Sequence, residues 1–205
     1  IFPSDHLVIE EEAFMAHVEA TARFVEARPD CLVLLGAPPT EPETEYGWIA
    51  PAERLGWTDR GPVYRVRRFV EKPQSGAARA LYASGALWNT LVFAARASIL
   101  VAAGRECVPA LDARLRQALT FAGTEHERWA LRQAFALAPR ANFSRAVLEA
   151  WPLPLGVLKM RDVRWCDLGD VDRVLRTLAG LGISPSWAAA LRHARRPGTA
   201  VATEV

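Results

Sequence analysis

Three observations predict an α/β domain. Short apolar runs of strand length alternate with stretches whose apolar residues recur at helical spacing. Pro, Gly and Asp punctuate the boundaries between them. A run of six apolar residues, Cys31-Leu32-Val33-Leu34-Leu35-Gly36, reads as a strand covered on both faces of a sheet.

The elements follow in order. Residues 11–28 carry Phe14, Val18, Thr21/Ala22 and Val25 on one helical stripe, with Glu10, Glu11 and Glu12 at the positive end of the helix dipole. Pro29-Asp30 stops that helix, and the strand 31–36 follows. Residues 38–44 read as a loop, and Tyr46-Gly47-Trp48-Ile49 as extended chain. Residues 52–62, with Gly56 and Asp59-Arg60-Gly61-Pro62, read as a turn or hairpin, so some antiparallel pairing is expected. Strands are expected at 63–70, 87–95 and 155–163, and a short helix at 75–84 with Gly85 behind it. The Ala-, Leu- and Arg-rich block 96–150 is predicted helical, an insertion before a returning strand. Helices at 171–181 and from Pro185 to about Arg195 precede a loose tail.

Composition bounds the function. With 51% hydrophobic and 23% charged residues, the chain is an ordinary globular protein. Its net charge of +2 is dispersed, so no partner nucleic acid or membrane surface is expected. No apolar run approaches the ~18 residues of a membrane span. Cys31, Cys107 and Cys166 are odd in number and lack metal-type spacing, which predicts reduced thiols and a cytoplasmic location. Cys31 is expected in the core. Ile1 and the missing signal-peptide pattern leave three readings of the start: processing, an incomplete chain, or part of a longer polypeptide.

The chemistry concentrates in Phe69-Val70-Glu71-Lys72-Pro73 and Leu87-Trp88-Asn89-Thr90. Pro73 ends a strand beside an acceptor and a cation, and Asn89 stands in an apolar run. Carboxylate and carboxamide suit sugar hydroxyls, and an ammonium suits phosphate. A surface ion pair is the plainer reading of Glu71-Lys72, and Trp88 reads as core. Asp5 and Asp167 each adjoin a strand-like segment. Two such carboxylates brought together call for a divalent cation such as Mg²⁺, although an N-cap or turn role is the commoner fate of a single Asp. Asp170 is expected to cap the helix at Val171. His6 reads either as a ligand contact or as a hydrogen-bonded structural histidine.

Five motifs in order carry a resemblance: Pro3-Ser4-Asp5-His6, the run 42–49 through Tyr46-Gly47-Trp48-Ile49, the run 69–73, Gly85-Ala86-Leu87-Trp88-Asn89-Thr90, and Trp165-Cys166-Asp167-Leu168-Gly169. Together they resemble the sugar-phosphate nucleotidyltransferases, most of all the mannose-1-phosphate guanylyltransferase branch. The resemblance implies a Rossmann-like nucleotidyltransferase (nucleotide-diphospho-sugar transferase) fold, with a mixed, mostly parallel sheet flanked by helices and incomplete at the amino terminus. It implies residues 1–182 as the acceptor part of the domain and 183–205 as a carboxy-terminal helix and tail. It implies GTP and mannose 1-phosphate as substrates and GDP-mannose and pyrophosphate as products, with a homodimer as one option for assembly. By the same match Asp5 and Asp167 would hold Mg²⁺, and Asp5, Lys72 and Asp167 would carry catalysis. Glu71 and Asn89 would bind sugar hydroxyls and Lys72 the phosphate, while Gly47 would admit the sugar with Tyr46 beside it.

The chain also departs from that family. The glycine-rich loop that cradles a triphosphate is not found in these residues, so the segment alone is expected to be inactive. Leu91 stands where relatives carry Gly, and Ser144-Arg145 where they carry an acidic residue. Another sugar or base, or a non-catalytic binding module, are the competing expectations.

Overall fold

The computed structural model describes residues 1–150 and 154–188. Along the chain run β1 (His6–Val8), α1 (Glu11–Ala27), β2 (Leu32–Ala37), β3 (Gly47–Thr58), β4 (Gly61–Glu71), α2 (Ser75–Ala83) and β5 (Leu87–Ala94). Then come α3 (Ala97–Cys107), α4 (Pro109–Leu119), α5 (Glu127–Leu137), a π-helical turn at Ser144–Leu148, β6 (Leu155–Lys159), β7 (Trp165–Asp167) and α6 (Val171–Gly180). Two compact units divide them: residues 1–3 with 9–164, and residues 4–8 with 165 onward.

The larger unit is built on β2 to β6, which close in the order β2-β5-β3-β4-β6. The α/β class holds, but the mostly parallel sheet does not. Among the described residues the β2–β6 pair is parallel, and β2–β5, β3–β5, β3–β4 and β4–β6 are antiparallel. A tight turn between β3 and β4 forces one antiparallel pair, because a parallel return needs a long crossover. β5 then enters between β2 and β3, opposed to both.

The 52–62 segment is mostly strand. β3 runs to Thr58, and the reversal occupies only Asp59-Arg60, where the Thr58 hydroxyl donates to the Gly61 carbonyl at 2.9 Å. Pro51 and Gly56 break the alternation that marks a strand in sequence. The sheet absorbs them as register shifts between Ala50 and Gly56.

β2 is buried along its whole length, as its apolar run predicts. Leu32, Leu34, Ile49, Phe69, Leu87, Phe93 and Val157 form the core, with Ala103 of α3 and Val147 and Leu148 of the π-helical turn packed into it. α4 and α5 join through a small separate cluster of Ala118, Ala130 and Ala134.

The smaller unit pairs β1 with β7 antiparallel, His6 opposite Asp167. Asp170 caps α6 as expected, accepting from the Arg173 N–H at 2.9 Å. The helix expected from Pro185 has residues 187 and 188 helical; from residue 189 it lies outside the described residues.

Candidate functional site

The larger unit brings three predicted residues into one row. Gly47 of β3 pairs with Glu71 of β4, and the next pairs of β3 with β5 (Trp48 with Trp88, Ile49 with Leu87) set Gly47 beside Asn89. Side chains of paired residues share a face and alternate residues share it too. Glu71, Gly47 and Asn89 therefore cap the apolar layer of Phe69, Ile49 and Leu87, two residues further along each strand.

Gly47 is the gap in that row. A Cβ there would lie 2.8 Å from Glu71 Oε2, 3.0 Å from Phe69 Cζ and 3.2 Å from Asn89 Cβ. Glycine lets the carboxylate and the carboxamide stand close together above bare backbone.

Asn89 is buried, and its Oδ1 accepts from the Leu91 N–H at 3.0 Å. Its amide nitrogen makes no hydrogen bond among the described residues, so it is a donor available to a ligand. The bond to Leu91 belongs to an irregularity in β5, where Thr90, Leu91 and Val92 stand opposite the single residue Leu35 of β2. Leu91 there adopts a φ of +56°, a left-handed conformation that favours glycine. The sequence departure at Leu91 thus marks a strained backbone position next to the row.

Glu71 is half-buried, and burial pushes its carboxyl above the usual range. The Lys72 ammonium, a hydrogen bond from Ser144 and the charge of Arg145 act in the other direction, while Glu149 adds to the rise. Ser144, Arg145 and Glu149 were not among the predicted site residues; the departures at 144–145 were the signal in sequence.

Lys72 follows with a φ of +48°. Its N–H donates to the Tyr46 carbonyl at 3.3 Å, and its Nζ lies 3.0 Å from Glu45. Tyr46 points to the other face of the sheet. It is buried with Trp48 and Trp88, its ring 4.9 Å from that of Trp88. Trp88 is core as expected, and its buried indole N–H has no partner among the described residues. A groove of about 690 Å³ lined by Val18, Thr21, Val25, Val92, Phe93 and Leu100 is mostly apolar and contains none of the predicted residues.

The smaller unit holds the two predicted metal ligands. β1–β7 pairing sets Asp5 next to the start of β1 and Asp167 at the end of β7, with the Leu168 N–H donating to the Asp5 carbonyl at 2.7 Å. Both carboxylates act on His6 between them; burial lowers the imidazole pKa, and Asp5 and Asp167 raise it. His6 Nδ1 accepts from the Trp165 indole N–H at 3.1 Å, with the rings edge to face, which is the structural role. Asp167 also bears an ion pair that sequence reading did not anticipate, to the buried guanidinium of Arg173. Among the described residues no three metal-ligating side chains cluster. Two carboxylates nevertheless suit Mg²⁺, which commonly takes one or two from protein and the rest from phosphates and water. Asp5 and Asp167 are a donor set of that kind, and Asp167 would have to serve such a cation while paired with Arg173.

The nucleotidyl transferase family model matches residues 1–181. The chain belongs to the nucleotidyl transferase family. Among its relatives, the xanthan biosynthesis protein XanB of Xanthomonas campestris is 34% identical over 181 residues, covering 85% of this chain and 36% of that protein. A mannose-1-phosphate guanylyltransferase of Escherichia coli is 29% identical over 171 residues, covering 82% and 35%. A crystal structure described as a mannose-1-phosphate geranyltransferase from Thermus thermophilus superposes with a TM-score of 0.72 at 29% identity, covering 87% of this chain and 48% of that one. The nucleotidyltransferase fold expected from sequence is therefore the fold of this chain, which spans about a third of the length of these curated relatives. No helix among the described residues is long and apolar enough to cross a membrane.

Proposed function

We propose that this chain supplies the acceptor side of a nucleotidyl transfer from GTP to mannose 1-phosphate, yielding GDP-mannose and pyrophosphate. The Asn89–Gly47–Glu71 row carries the reading. It offers a donor, an open backbone and an acceptor at one level, the pattern that reads vicinal sugar hydroxyls. Lys72 adjoins it as a cation for the acceptor phosphate. The exposed Lys72–Glu45 pair is worth little and exchanges readily for a substrate anion.

In the proposed reaction an oxygen of the acceptor phosphate attacks the α-phosphorus of the nucleotide, and the bond to the β-phosphate breaks in line. The chain's part is to orient that oxygen and offset its charge. Asp5 and Asp167 are the residues that would hold Mg²⁺, which supplies charge neutralisation to the phosphates. Arg173 holds the Asp167 carboxylate in place. A cytoplasmic setting suits the three free thiols, and a homodimer is the assembly we propose.

The test is pyrophosphate release by the full polypeptide containing this chain, given GTP, mannose 1-phosphate and Mg²⁺. We expect Asp167→Asn to lose at least ~100-fold in kcat, as removal of one group that stabilises transition-state charge commonly does. Wild-type turnover in that variant would remove Asp167 from the reaction. A second reading, another sugar or base, rests on Leu91 and Ser144 bordering the row. A clear preference for a different pair in a substrate panel would favour it.

A further inference from the structure

Between Asn89 and Phe93, β5 leaves the ladder with β2, and two successive side chains take over its backbone bonds. Asn89 Oδ1 accepts from the Leu91 N–H at 3.0 Å, and Thr90 Oγ1 accepts from the Val92 N–H at 3.2 Å. The Thr90 hydroxyl in turn donates at 2.7 Å to the carbonyl of Leu35, the β2 residue opposite. Asn89 and Thr90 are both buried, where polar groups need partners, and these bonds supply them.

The strain of this bulge falls on Leu91. Its φ of +56° sets Cβ against the backbone, a conflict that only glycine escapes. Asn or Asp offsets it with a local side-chain hydrogen bond; the Leu91 side chain has none to make and packs, half-buried, against the core. Backbone strain of this kind persists where the surroundings over-determine it, and it gathers at functional positions.

The bulge decides which end of the Asn89 carboxamide is spent on the protein. The two ends of an amide are alike in shape and opposite in hydrogen bonding. A backbone N–H is accepted by the oxygen end alone, so the Leu91 N–H commits Oδ1 and leaves Nδ2 for a ligand. Across the bare backbone of Gly47 stands the Glu71 carboxylate: a Cβ at Gly47 would lie 3.2 Å from Asn89 Cβ and 2.8 Å from Glu71 Oε2. A donor facing an acceptor suits a pair of hydroxyls. With the amide flipped, the row would offer acceptors on both sides.

Resting on the acceptor reading above, we infer that Leu91 is a positioning residue of the acceptor site, its left-handed backbone holding the Asn89 carboxamide with the amide nitrogen free for a sugar hydroxyl. An extended residue 91 would return its N–H to the ladder and release that carboxamide.

The test is calorimetric titration with mannose 1-phosphate of the full polypeptide containing this chain, in variants whose folding is checked by circular dichroism. Leu91→Gly accepts the left-handed backbone and deletes the core contact. Leu91→Ile keeps the apolar volume, but its branched Cβ disfavours that backbone. Leu91→Gly is expected to bind within ~3-fold of wild type and Leu91→Ile at least ~10-fold more weakly, about the worth of one hydrogen bond. In an Asn89→Ala background the Leu91→Ile change should cost no further affinity, because its effect runs through the carboxamide. Should Leu91→Ile fail to fold, Leu91→Ala takes its place in each comparison. Full affinity in Leu91→Ile with a loss in Leu91→Gly would overturn the inference and leave the acceptor reading standing, since binding would then follow packing. An equal loss from Leu91→Ile with and without Asn89 would also overturn it. If wild type binds no mannose 1-phosphate, the acceptor reading falls and the inference falls with it.

Discussion

Gly47 has no room for a methyl group. An added Cβ at 2.8 Å from Glu71 Oε2 must displace the carboxylate or spread the strands. Overpacking of this kind costs about 1–3 kcal/mol. Gly47→Ala is expected to lower the melting temperature and to weaken mannose 1-phosphate binding by more than the stability loss explains, read by calorimetry on the folded variant. Unchanged binding would detach Gly47 from the acceptor pocket. Glu71 gives the complementary case, in which function and stability oppose each other. Burial raises its pKa, so the folded chain keeps this proton to a higher pH than the unfolded chain does. Folding stability from this group is therefore present at acid pH and declines as pH rises from the unfolded value, 4.5, through the raised folded one. Glu71→Gln removes that penalty. Its melting temperature should exceed wild type at pH 7, the gain should vanish near pH 4, and binding of the sugar phosphate should be lost. A melting temperature at pH 7 no higher than wild type would mean that Lys72, Ser144 and Arg145 already offset the burial.

At the scale of elements, α6 shows how a cap and a site residue share one side chain. Asp170 accepts from the Arg173 N–H and lies 3.5 Å from its guanidinium, which also holds Asp167. Asp170→Ala is expected to cost about 1 kcal/mol through the lost cap, seen as faster amide exchange in the first turn of α6. The backbone hydrogen bond holds the Asp170 carboxyl below its ordinary value of 3.8. The cap therefore contributes above that value and is lost as pH falls through the folded one, so the two proteins should converge in strong acid. A difference that persists there would assign the effect to something other than the carboxylate. The Asp170 cap was legible in sequence because a cap is local: one Asp before one amphipathic run. The extent of β3 was not, since Pro51 and Gly56 are tolerated only through register shifts that depend on the pairing with β4. The Arg173–Asp167 pair was hidden for a similar reason. Its partners are six residues apart and meet only because β7 turns directly into α6.

For the whole molecule, the five strands of the larger unit were visible as apolar runs, yet their directions were not. Apolarity reports burial, and a strand buried on both faces reads alike whether its neighbours run parallel or antiparallel. Motif order singled out Glu71, Gly47 and Asn89 one by one through the resemblance, but nothing in their spacing of 24 and 18 residues reveals that strand pairing aligns them in a row. Cys31 tests the closed strand order. It precedes β2, is 3% exposed, and donates its thiol to the Pro154 carbonyl at 3.4 Å, just ahead of the parallel partner β6. Burial pushes that thiol up to about 11. At pH 8 the reactive thiolate is then about one part in a thousand, and an alkylating reagent has no path to it in the closed fold. With the β2–β6 pairing intact, Cys31 should be labelled only in molecules that unfold globally. Its rate in increasing urea should follow the loss of circular dichroism, while the partly exposed Cys107 reacts in native buffer. If Cys31 is alkylated in native buffer as fast as Cys107, β2 and β6 separate without global unfolding, and the barrel is open on that side in solution.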